Sequence, residues 1–145
     1  MADLYPEWLI WKRDNTSIAN VTLKEHASLW NQFMKDDDII NVPMADLKAR
    51  DFMNLFRRWT KSRQLTRKRF NNIKSLINGI FEYAISECEI LERNVVKDIN
   101  CQQFTFKPVN NNDDVFSIKE RQMMLDHISD IEDVYSLAIQ LTFMS

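Results

Sequence analysis

Glycine is almost missing from this chain, with 1 in 145 residues, where an average protein uses about 7%. Only glycine enters the left-handed backbone region without a steric penalty. Tight hairpins, the phosphate-cradling GxxxxGK[ST] and GxGxxG loops and the GxSxG elbow are therefore all disfavoured. Long hydrophobic runs are missing too. The greasiest stretch, Val134 to Met144, is far shorter than the roughly 18 residues a membrane helix needs. The opening MADLYPEW has no basic segment leading into an apolar one, so no secretory signal is read. Cys88 and Cys101 are the only cysteines; without an oxidising compartment they are read as buried free thiols.

What is present suits a folded helical domain. Hydrophobic residues make up 45% and charged residues 28%, with 4 Trp and 9 Phe to bury, which is a globular rather than a disordered profile. The formal net charge of -2 conceals a strong asymmetry. Between Phe52 and Phe81 stand Arg57, Arg58, Lys61, Arg63, Arg67, Lys68, Arg69 and Lys74 without one acid, whereas residues 110–145 carry seven acids against Lys119 and Arg121. A basic module beside an acidic segment is the reading, with residues 101–114, CQQFTFKPVNNNDD, as the linker. The Asp36 to Asp38 run is read as turn carboxylates at a helix end, with no metal, since three consecutive side chains diverge and no further ligand is close in sequence.

Apolar spacing predicts the helices. Leu4, Trp8 and Trp11 share a face over residues 3–14. Thr22 and Glu25 have the form of a capping box, followed by Leu23, Ala27, Trp30 and Phe33 or Met34. Pro43 and Asp46 mark a third start, with Leu47, Phe52, Leu55, Phe56 and Trp59 as its stripe. Thr66 is the expected cap of a fourth helix, with Leu65 and Phe70 as a hydrophobic staple. At 100° per residue, Phe70, Ile73, Ile77, Ile80, Phe81 and Ala84 face inward, while Lys68, Asn71, Ser75 and Asn78 face outward. Gly79 in that helix costs about 1 kcal/mol relative to Ala and is assigned to close approach of another helix. Ser117 and Glu120 open a fifth helix to about Ser129, and Val134 to Met144 forms a last apolar one. Nothing follows to cover that segment, so the chain is expected to be cut from something longer.

The functional signal sits at the start of the fourth helix. Arg67, Lys68 and Arg69 occupy its first three positions, where the positive end of the macrodipole makes each cation unfavourable by about 0.3–1 kcal/mol. A phosphate would compensate, because free N–H groups, the dipole and three cationic side chains converge on it. Behind them on the exposed face, Asn71, Ser75 and Asn78 are uncharged donors and acceptors, and Asn is the side chain that pairs bidentately with adenine. Glu82 lies further along and would repel phosphates, which confines contacts to about the first three turns.

Residues 65–99, LTRKRFNNIKSLINGIFEYAISECEILERNVVKDI, resemble the last helix and exit of the core-binding, SAM-like domain of tyrosine recombinases of the phage integrase family. There an "l..if.yA" pattern leads into "g.i..NP". IFEYA here is residues 80–84, Asn94 takes the Asn position, Val95 stands for the Pro, and Glu87 or Cys88 for the Gly. LYPEWLIWKRDN resembles the family's first helix. VFSIKERQMMLDHI and YSLAIQLTFMS resemble the start of its catalytic domain, up to the residue before a G-x-R-x-G-E motif.

The resemblance implies an all-α architecture: a four-helix core-binding bundle (1–100), the linker (101–114) and two helices of a truncated catalytic domain (115–145). It implies a DNA-binding fragment without catalytic residues. The family's Tyr nucleophile and its Arg, His and Lys assistants lie beyond Ser145, while Tyr5, Tyr83 and Tyr135 are read as core and His26 and His127 match no catalytic position. The partner is double-stranded DNA, gripped by the second and fourth helices in one half of a clamp, with self-association of the full-length protein on DNA. No cofactor, small-molecule substrate or membrane is expected, and the expected compartment is the cytoplasm, for a bacterial or phage-encoded protein that joins the nucleoid when bound. Arg67, Lys68, Arg69 and Lys74, with Lys61 and Arg63 beside them, are the expected phosphate contacts; Asn71, Asn72 and Ser75 stand near base edges. Lys24, Asn31 and Lys12 beside Arg13 are secondary candidates. Two rival readings remain: a helix-turn-helix regulator, disfavoured by a glycine-free joint and no dimerisation segment, and a helical adaptor whose basic face meets an acidic protein.

Overall fold

A computed structural model describes residues 1–109 together with Lys119, Gln122, Met123 and Asp126. Within residues 1–109 the α-helices are α1 (Leu4–Asn15), α2 (Asn20–Leu29), α3 (Ala49–Ser62) and α4 (Arg67–Ser86). Among the described residues there is no β-strand, and no helix is long and apolar enough to cross a membrane. The chain divides into two compact units, Met1–Pro108 and Val109–Ser145. In the second unit Lys119, Gln122, Met123 and Asp126 are helical and Gln122 donates to Asp126 at 2.9 Å; the expected cap at Ser117 and the segment Val134 to Met144 lie outside the described residues.

Helix α4 is the axis of the first unit. The Thr66 hydroxyl oxygen accepts from the Arg69 N–H at 3.3 Å, so the expected cap forms. Phe70, Ile73, Leu76, Ile77, Ile80, Phe81 and Ala84 are all buried. At roughly 1.5–3 kcal/mol for each large side chain, this stripe holds the helix far more firmly than its intrinsic propensity. Leu76 joins the stripe: it shares a flank with Arg69 and Asn72, which bond to Gln32 and Glu25, and α4 packs on both α1 and α2. Around it, Phe56 meets Phe70 edge-on at 5.0 Å and Phe52 meets Phe81 at 5.5 Å, the geometry that aromatic quadrupoles favour. Gly79 is where Trp8 of α1 presses against α4. A Cβ there would lie 2.9 Å from Trp8 Cζ2, so the residue is glycine for want of space.

Three local expectations are corrected. First, α2 begins at Asn20 with Ala19 as its cap and no side-chain cap bond. Thr22 is therefore already inside the helix, and Glu25 is used elsewhere. The helix then widens into a π-turn over Trp30–Met34, in which the Lys35 N–H reaches the Trp30 carbonyl at 2.9 Å. That extra residue per turn lets Trp30, Phe33 and Met34 all be buried.

Second, α3 starts at Ala49 rather than near Asp46. Two 3-10 turns, Asp38–Asn41 and Met44–Asp46, precede it, and Lys48 is extended at φ -116° and ψ 158°. The Asp51 carboxylate accepts the Lys48 N–H at 2.9 Å and so closes the start. Asp37 accepts from the Ile39 N–H at 3.2 Å and pairs with Arg58.

Third, the first half of the expected linker is packed. The Lys107 N–H donates to the Leu65 carbonyl at 2.9 Å, and Phe104, 7% exposed, sits 6.0 Å from Phe56 and 5.1 Å from Phe70. Two aromatic anchors in a polar stretch suffice to fold it onto the bundle, so the first unit reaches Pro108 rather than residue 100. Cys88 and Cys101 are free thiols, half-buried rather than buried.

With one glycine available, left-handed backbone falls to other residues. Gln64, after α3, has φ 46° and Glu89, after α4, has φ 53°.

Candidate nucleic-acid interface

The outward face of α4 is open over its first turns. Arg67, Lys68, Asn71 and Ser75 are exposed along it. Lys68 and Ser75 make no side-chain hydrogen bond or ion pair among the described residues, and the Arg67 guanidinium lies 6.0 Å from the Phe106 ring. Within residues 1–109 the ion pairs are Arg13–Asp14 and Arg58–Asp37. No carboxylate there neutralises the cations at the start of α4.

The remaining predicted residues divide between two flanks. On the α2 side, Arg69 donates to Gln32 Oε1 at 2.7 Å and Asn72 donates to Glu25 Oε1 at 2.7 Å. Asn72 is thus half-buried and turned to α2, away from Asn71. Arg63, at the end of α3, donates to the Gln32 carbonyl. Its guanidinium stacks over Phe33 at 4.6 Å, with that of Arg69 at 5.9 Å from the same ring. Such cation–π contacts position the guanidinium groups and leave their charge intact. On the opposite flank, Lys74 donates to the Ile99 carbonyl at 2.7 Å. Lys61 stands apart, exposed near the end of α3.

The far end of the face is closed. Asn94 donates to Asn78 Oδ1 at 2.7 Å and to Glu82 Oε1 at 2.8 Å, while its own oxygen accepts the Val96 N–H at 3.0 Å. The exit segment therefore lies against α4 from Asn78 onward, leaving Asn78 half-buried and Glu82 engaged. What stays open is the line of Arg67, Lys68, Asn71 and Ser75, of which Asn71 accepts a long contact of 4.0 Å from the Cys101 thiol.

Of the secondary candidates, Lys24 and Asn31 are exposed. Arg13 is paired with Asp14 at 2.7 Å. Lys12 is half-buried over the Trp8 ring at 4.8 Å, and desolvation lowers its pKa. Tyr5 is buried and stacked on Trp30 at 3.9 Å, and Tyr83 is half-buried beside Trp11 at 5.4 Å. Burial raises the pKa of both phenols, Tyr83 with help from a hydrogen bond to Cys88. His26 is buried under Trp8, ring centroids 5.3 Å apart, and its Nδ1 has no partner among the described residues. His127 and Tyr135 lie outside the described residues.

Sequence reasoning missed Gln32 and Phe33, which together hold two arginines, because nothing local marks a glutamine as a receptor for cations more than thirty residues away. It also missed Lys107, assigned to a linker.

Comparison with family models, with curated proteins and with solved structures finds no match to this chain.

Proposed function

We propose that the first unit is a duplex-DNA-binding module, and that it is the core-binding domain of a tyrosine recombinase, one half of the clamp around a crossover site. The cluster at the start of α4 carries this reading. Arg67, Lys68 and Arg69 crowd the positive end of a 20-residue helix, none is balanced by a carboxylate among the described residues, and Asn71 and Ser75 continue along the same open face. Phosphates would relieve the helix-dipole conflict, and the amide and hydroxyl would reach base edges. On this reading the module binds without cutting; cleavage belongs to the remainder of the parent recombinase, and binding places the protein with DNA in the cytoplasm.

Four phosphate contacts, from Arg67 and Lys68 as they stand and from Arg69 and Lys74 on exchanging their bonds to Gln32 and the Ile99 carbonyl for phosphate, give a log-log salt slope near -4 by the rule of about -0.9 per phosphate. The Arg67→Ala/Lys68→Ala/Arg69→Ala variant is expected to shed about 2 to 3 of that slope in a fluorescence-anisotropy titration of labelled duplex. Unchanged affinity and slope would falsify the reading. Equal competition by heparin and duplex would favour a protein-binding basic face, and footprinting that protects a palindrome would favour a helix-turn-helix regulator.

A further inference from the structure

We infer that a groove between the end of α3 and the 103–108 strap is a second phosphate-binding site, separate from the outward face of α4. The groove has a volume of about 510 Å³ and carries Arg57, Lys61 and Lys107 on its walls, with Gln64, Gln103 and Thr105 among them. All six are exposed, and none of their side chains has a hydrogen bond or ion pair among the described residues. No acid lines it. Three other grooves of similar or smaller size each mix carboxylates with their cations: Asp37, Asp38 and Asp51 in one, Glu92 in the next, Asp98 in the last.

The groove is built rather than incidental. Phe104 forms its floor beside Thr60, whose hydroxyl donates to the Phe56 carbonyl at 2.9 Å. The strap is pinned by the Lys107 N–H to the Leu65 carbonyl, in a parallel bridge of Thr66 with Lys107. The Lys107 side chain is therefore held on a fixed backbone opposite α3. One turn of α3 separates Arg57 from Lys61, so the two ammonium groups and the guanidinium border one concavity. Like charges gathered without a counterion repel one another, and the ligand that reverses this is a multiply charged oxyanion able to accept from Arg and Lys together. Amide and hydroxyl groups on the same walls suit phosphate oxygens. Two sources share that chemistry: the backbone of a duplex already lying on α4, which rests on the proposed function, and a free polyphosphate compound, which does not.

The test uses the full 145-residue chain and the Arg57→Ala/Lys107→Ala variant, neither position being part of the α4 face. Lys35→Ala serves as a charge control. The probes are a labelled duplex, titrated at several salt concentrations, and sodium tripolyphosphate, read as a rise in Tm. If duplex fills the groove, its two phosphates at about 0.9 each add to those of α4 and take the wild-type slope to roughly -5 to -6. The variant is expected to lose that added slope of about 2, and at least half of the tripolyphosphate-induced shift, with Lys35→Ala changing neither. A fall in slope alone assigns the groove to the duplex. Loss of the Tm shift alone, including the case in which the wild type ignores duplex, assigns it to a free phosphate compound and leaves the DNA reading to fall by itself. If the variant matches the wild type in both readouts, or the wild type responds to neither probe, the site does not exist.

Discussion

Gly79→Ala tests the packing of the first unit most directly, because two effects of opposite sign meet at one atom. In an open helix the exchange would stabilise by about 1 kcal/mol. Here the added Cβ would lie 2.9 Å from Trp8 Cζ2, 3.3 Å from Cε2 and 3.4 Å from Nε1, against a comfortable carbon–carbon separation of about 3.5–4.0 Å. The indole cannot easily retreat. Trp8 is 1% exposed, lies nearly parallel to the His26 ring at 9° and has the Lys12 ammonium 4.8 Å from its centroid. Overpacking of this kind costs about 1–3 kcal/mol, so the net effect is a loss of about 1 kcal/mol. For a unit of this size that is a fall in Tm of about 4–8 °C, measurable by thermal and urea unfolding followed by circular dichroism. In a Trp8→Phe background the outer ring of the indole is gone, and Gly79→Ala should then be neutral or stabilising. Their non-additivity isolates the contact. A rise in Tm for Gly79→Ala alone refutes the packing account.

Other consequences are as concrete. Phe104→Ala removes a buried ring from between Phe56 and Phe70 and should cost about 3–4 kcal/mol; a chain ending at residue 100 should unfold at lower urea than one ending at 108, and equal midpoints would mean that the strap contributes nothing. His26 has its pKa lowered below 6.5 by burial first and by Lys12 second, with Glu25 opposing. The unfolded chain therefore binds a proton the folded one resists, and stability present above about pH 6.5 should decline as the pH falls below it. A His26→Gln variant should flatten that dependence between about pH 7.5 and 5.5, and an identical slope would acquit the imidazole. Gln64→Gly and Glu89→Gly relieve left-handed strain at φ 46° and 53° worth about 1–2 kcal/mol, less about 0.5–1 kcal/mol of added chain entropy. Each should raise stability by several tenths of a kcal/mol, and a drop would show that those side chains do more than occupy a turn.

Phosphate and duplex binding, if both are found, would make the cation distribution one system with two parts. The α4 start presents Arg67 and Lys68 outward, and the strap that walls the groove is joined to the residue capping that helix through the Thr66–Lys107 bridge. The short joint between α3 and α4 is what makes them neighbours.

Much of this was legible in the residues alone, and what was legible is local. The Thr66 cap, the α4 stripe and the crowding of Arg67, Lys68 and Arg69 at its start depend on spacings of three or four residues, which helix geometry converts directly into faces and ends. Even the tight crossing at Gly79 shows as a residue that breaks the local rule. Tertiary structure decided which partner each polar group took. Glu25, suited by spacing to cap α2, instead accepts from Asn72; Arg69 turns to Gln32; Lys74 turns to the Ile99 carbonyl. Residues 101–108 changed from linker to wall because Phe104 found a gap between two other rings. Periodicity describes a chain one turn at a time, whereas hydrogen-bond choice and aromatic packing are settled between segments many residues apart, once the core has fixed their distance.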